Sequence, residues 1–129
     1  MEQERIKEID EECKRMQDFL EITTSDDANE LVARLTDINI YMARSGFLLA
    51  ECKTMQDKAA AEVYNRYGSD LLKMPATVVK SFISSQTADI NYYVNWLDRI
   101  NRACVHCGDN VRTQISFAKE ELKLTRSGF

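Results

Sequence analysis

Proline occurs once in this chain, as Pro75, and glycine only four times. Turn-rich all-β folds use such residues at most reversals, so their scarcity excludes many short elements and favours a few long ones. Long apolar runs are missing too. The longest, around Phe47-Leu48-Leu49-Ala50, falls far short of the ~20 residues that a membrane-spanning helix needs. Met1-Glu2-Gln3-Glu4-Arg5 has neither the basic start nor the apolar core of a signal peptide, so the chain is expected to stay in a cytoplasm, away from membranes. Histidine occurs once, as His106, with no nucleophile or acid evident beside it in the sequence. No glycine-rich phosphate loop, H-E-x-x-H or G-x-S-x-G pattern occurs. The expectation is a protein that is not an enzyme, with no catalytic residues and no cofactor.

What is present is ordinary for a folded helical protein. The 129 residues fit a single domain, and 44% apolar with 29% charged residues is too apolar for disorder. The net charge of −4 hides an asymmetry. Residues 1–30 hold 11 acids and 4 bases, giving −7, and residues 31–129 hold 10 acids and 13 bases, giving +3. An acidic leading segment on a mildly basic body suits a polyanion-binding body or, equally, a solvated amphipathic helix.

Heptad spacing runs through the whole chain. Ile6, Ile9, Cys13, Met16 and Leu20 follow steps of 3 and 4, which predicts a helix over 2–21. Thr23, Thr24 and Ser25 should end it, and Ser25 or Asp26 can cap the next helix. That second helix is expected over 27–67, on the seam Leu31, Leu35, Ile38, Met42, Ser45, Leu49, Cys52, Gln56, Ala59, Val63, with Gly68 as its stop. Gly46 inside it suggests a bend or a close helix contact. Pro75 suits the first turn of a third helix over 75–126. Its seam runs Val79, Ile83, Gln86, Ile90, Tyr93, Leu97, Ile100, Cys104, Cys107, Val111, then slips to Ile115, Ala118, Leu122. Gly108 could mark a kink near the slip. The predicted fold is all-α: a long antiparallel hairpin plus an N-terminal helix, a three-helix, coiled-coil-like bundle. Its thin seam, with Ser45, Cys52 and Gln56, argues for a homo-oligomer.

Cysteine invites a metal reading, because Cys104-Val105-His106-Cys107 contains a C-x-x-C pair. Those thiols fall on a helical seam, as do Cys13 and Cys52, where free cysteine acts as a small buried hydrophobe. With hairpin turns centred near residues 24 and 71, a cluster of Cys13, Cys104 and Cys107 is still allowed by geometry. The economical expectation is no metal.

Two stripes flank the third helix's seam. One holds Tyr92, Trp96, Arg99 and His106, with Arg102 adjacent, and the other holds Arg112, Ser116, Lys119, Lys123 and Arg126. Rings that stack on bases beside cations that meet phosphates are what single-stranded nucleic-acid binding requires. The competing reading is that Tyr92 and Trp96 widen the core and the cations are ordinary solvated charges, with Glu120 and Glu121 interrupting the second stripe.

Tyr92-Tyr93-Val94-Asn95-Trp96-Leu97, Arg112-Thr113-Gln114-Ile115-Ser116 and Lys119-Glu120-Glu121 resemble segments of small helical proteins of phages and mobile elements. The layout is similar to the phage recombination-mediator family typified by UvsY. The likeness lies in the length, the helix with Tyr41-Met42-Ala43-Arg44-Ser45, a central break, and a long helix with Trp96 and Cys104 in its middle. That resemblance implies a helical, oligomeric, non-enzymatic accessory of DNA recombination or replication in a host cytoplasm, binding single-stranded DNA or a recombinase. A docking protein that inhibits a host or defence protein is the other reading of the same surface.

Overall fold

The computed structural model describes residues 2–23 and 25–126. Four helices follow one another: α1 (Glu2–Glu21), α2 (Ala28–Leu71), α3 (Ala76–Gln86) and α4 (Ala88–Arg126). No strand occurs among the described residues. None of these helices is long and apolar enough to cross a membrane. Residue 24, expected to help end α1, lies outside the described residues.

Three expectations from spacing are corrected at the helix ends. The N-cap of α2 is Asp27, whose carboxylate accepts from Glu30 N–H at 3.1 Å, while Ser25 Oγ accepts from Asp27 N–H one step earlier. Second, α2 does not stop at Gly68 but runs through it to Leu71. Leu71 is buried there, and burying a leucine contributes about 1.5–3 kcal/mol, more than the roughly 1 kcal/mol that glycine costs a helix. Third, the helix expected over 75–126 is two helices, because Thr87 leaves the helical region at φ −111° and ψ 20°. The bundle therefore has four helices rather than three.

Polar side chains hold that break. Thr87 is buried, and its Oγ1 donates to Ile83 O at 2.9 Å. Asn91 Nδ2 donates to Thr87 Oγ1 and to Ser84 O, a carbonyl whose helical donor would be the N–H four residues on. Gln56 Nε2 of α2 donates to Asn91 Oδ1 at 2.6 Å, which ties the break to the hairpin. Pro75 stands as N-cap of α3, one residue before the helix rather than within it.

α2 and α4 form the antiparallel hairpin and α1 lies alongside. The core joins Ile9, Cys13 and Met16 of α1, Leu31, Ile38, Leu48 and Cys52 of α2, and Ile90, Leu97, Ile100, Cys104 and Val111 of α4. Facing pairs fix the register: Gln56 with Asn91, Ser45 with Asn101, and Ile38 with Gly108. Their midpoints fall near residue 73, beyond the expected 71, because α2 is longer than its spacing suggested. Ser45 is fully buried, and Asn101 Nδ2 donates to its Oγ at 3.1 Å and to Met42 O at 3.0 Å. A Cβ added at Gly46 would meet the same amide at an ordinary 3.6 Å, so no close approach demands the glycine there. Gly108 is buried against Ile38, and α4 runs through it without a break.

Candidate functional site

α1 brings side chains to α4 that no pattern within α4 reveals. Tyr93 Oη donates to Asp10 Oδ1 at 3.0 Å, and Trp96 Nε1 donates to Gln17 Oε1 at 3.1 Å. Gln17 Nε2 in turn donates to Glu21 Oε1 at 3.0 Å. On the α2 side, Arg5 clasps Glu51 through two bonds of 2.6 and 2.7 Å, and Arg44 clasps Glu12 at 2.8 and 2.9 Å. Paired guanidinium–carboxylate bonds of this kind set orientation as well as attraction. Together they seat α1 so that its C-terminal half forms one wall of a groove.

That groove, of about 670 Å³, runs between α1 and α4. Leu20, Ile100 and Ala103 supply apolar wall, Tyr92 and Trp96 supply ring surface, and Arg99 is its cation. Tyr92 is 57% exposed, whereas Trp96 is half-buried and packs on the core. The two rings meet edge-on at 5.6 Å, and Trp96 stacks with Tyr93 at 6.5 Å. Burial and the bond to Asp10 push the Tyr93 hydroxyl up to about 12, so it stays a neutral donor. Glu21 and Gln17 form the opposite polar edge.

Of the nine residues expected to bind, then, Tyr92, Trp96 and Arg99 converge and the rest do not join them. Arg102 pairs with Asp98 at 3.1 Å and Arg112 with Asp109 at 3.1 Å. Lys123 lies 3.5 Å from Glu120. His106, Lys119 and Arg126 are exposed on α4 outside the groove. The residues that the stripe reading lacks are Gln17, Leu20 and Glu21, which α1 contributes.

The candidate metal cluster does not form. Cys13 lies near Cys52 of α2 rather than near Cys104 and Cys107, and no group of three potential ligands converges among the described residues. The reason is register: the expected turn near residue 24 set Cys13 beside Thr36, whereas Glu12 actually reaches Arg44. Burial pushes the thiols of Cys13, Cys52 and Cys104 up, to about 12, 11 and 11, so each is a protonated packing residue.

No protein-family model matches the chain, and no curated protein or solved structure is similar to it.

Proposed function

We propose that the chain is a non-enzymatic docking protein that takes a segment of a protein partner into the α1/α4 groove. One observation carries this: Tyr92, Trp96 and Arg99, residue types that dominate binding energy at protein interfaces, meet in one partly apolar groove. A segment that suits it offers an apolar side chain to Leu20, Ile100 and Ala103 and a carboxylate to Arg99. On the resemblance to recombination mediators, the partner is a recombination or replication protein. A host or defence protein, inhibited by being bound, is the alternative user of the same groove.

A protein segment suits the groove better than a single strand of DNA does. Strand binding needs a continuous electropositive track beside the stacking rings. Here Glu21 lines the groove opposite Arg99, and Arg102 and Arg112 are paired with neighbouring acids. The test is a library of short helical peptides selected on the wild type, then measured on Tyr92→Ala and Arg99→Glu. Binders should carry a large apolar residue near an acid and lose at least tenfold in affinity on either variant. Tyr92 and Arg99 are exposed, so neither change should disturb folding. Peptides that bind both variants as well as wild type would remove the groove from the proposal. A labelled single strand that binds at low salt, with affinity falling steeply as salt rises, would put nucleic acid in its place.

A further inference from the structure

α2 carries a second heptad seam that nothing in the fold covers. Thr36, Ile40, Ala43, Phe47, Ala50 and Thr54 follow steps of 4, 3, 4, 3, 4, and all six are exposed. The face is opposite the one that meets α4, where Leu31, Ile38, Ser45 and Cys52 are buried. Ile40 and Phe47, two turns apart on this one stripe, are each 59% exposed. No charge interrupts the stripe between Thr36 and Thr54, and Asp57 ends it at the next step.

We infer that this face is a homodimer seam, on which two copies of α2 pack antiparallel about a two-fold axis near residue 45. Side-chain sizes match about that single centre. With the axis there, Phe47 of one copy meets Ala43 of the other, Ile40 meets Ala50, and Thr36 meets Thr54. Each large side chain finds a small one, as knobs entering holes require. A parallel, in-register pair would instead stack Phe47 on Phe47 and leave a gap at each alanine.

Two further details remove the cost of burying the stripe. Thr36 Oγ1 already donates to Val32 O and Thr54 Oγ1 to Ala50 O, each at 3.1 Å, so no hydroxyl donor is stranded by contact. Arg44, the cation nearest the axis, is clasped by Glu12 and lies over the Phe47 ring at 5.4 Å. Two Arg44 side chains meeting across the axis would therefore each arrive neutralised. An isologous contact of this kind closes on itself and stops at two copies.

Light scattering of the full chain should return twice the 14.9 kDa monomer mass at high micromolar concentration. Ala43→Glu and Ala50→Glu, both at exposed positions, should each return the monomer mass with helicity unchanged. Register is read by cysteines placed in a Cys107→Ser background: Ile40→Cys and Ala50→Cys copies should cross-link when mixed under mild oxidation, far more than either alone. A monomeric wild type, a dimer that persists in both glutamate variants, or Ile40→Cys cross-linking to itself as well as the mixture does would each overturn the seam. The groove lies elsewhere on the bundle, so peptide binding by Ala43→Glu tests that proposal separately.

Discussion

Gly68 shows how a single residue can read one way in sequence and another in the fold. Its freedom to adopt left-handed backbone made it the natural stop for α2, yet it is helical and a Cβ added there meets nothing within 4 Å. Gly68→Ala should therefore stabilise the protein by about 0.8–1 kcal/mol, the usual gain in a helix interior. Urea unfolding measures it, and a loss of stability would mean that the helix ends at Gly68 after all. The thiols make a second residue-scale case. Cys13, Cys52 and Cys104 are fully buried and held protonated, while Cys107 is half-buried at the groove. A thiol reagent should label Cys107 quickly in the native protein and the other three only as the chain opens. Rapid labelling of all four, or rapid labelling that persists in Cys107→Ser, would contradict this burial. Spacing made the seam cysteines legible as packing residues, since each predicted position is a buried or half-buried one.

At the scale of elements, α1 is held by ion pairs as well as by its three buried residues Ile9, Cys13 and Met16. Bonds from Lys14 and Tyr93 hold the Asp10 carboxyl below its ordinary value of 3.8. Arg44 does the same for Glu12, and Arg5 for Glu51, against an ordinary 4.5. A carboxyl depressed in the folded state contributes stability that is full above its unfolded value and lost as pH falls through its folded one. The loosening of α1 thus belongs below about pH 4.5, and salt should weaken it further because these pairs are partly exposed. Trp96, the only tryptophan, reports it, since its indole bonds Gln17 of α1. Acid titration should shift Trp96 emission to the red before helicity falls, and Glu12→Gln with Glu51→Gln should flatten the early step. A single coincident transition would mean that α1 has no separate stability. The existence and seam of α1 were legible from its spacing, but its register against α2 and α4 was not. Register depends on long-range pairs such as Arg5 with Glu51, which leave no local pattern. The same limit hid the groove: Tyr92, Trp96 and Arg99 could be read off α4, whereas the wall from Gln17 to Glu21 needed the docking of α1.

For the whole molecule, stability should grade outward from the middle of the α2/α4 hairpin. There Asn101 joins Ser45 and Met42, and the flanking Leu48, Leu97, Ile100 and Cys104 are fully buried. α3 is the opposite case: 11 residues with none buried, too short to persist without packing. Phe82 against Tyr67, edge-on at 5.1 Å, and the polar break at Thr87 are its main anchors. The far end of α4 thins likewise, with Phe117, Leu122 and Leu124 exposed. Heptad spacing could not show this gradient, because it scored Val79, Ile83 and Leu122 as seam positions equal to Leu97. A seam residue is buried only where another helix faces it, and α2 begins at Ala28, leaving the last turns of α4 uncovered. Amide exchange should accordingly be fastest in α3 and over 117–126, and slowest around residues 42–52 and 97–104. Asn101→Ala removes two hydrogen bonds at the slow centre, worth about 1–3 kcal/mol together. It should raise exchange over 42–52 and 97–104 while leaving α3, which opens locally, unchanged. If Asn101→Ala accelerates every segment equally, including α3, then α3 opens only with the rest of the chain and the graded picture fails.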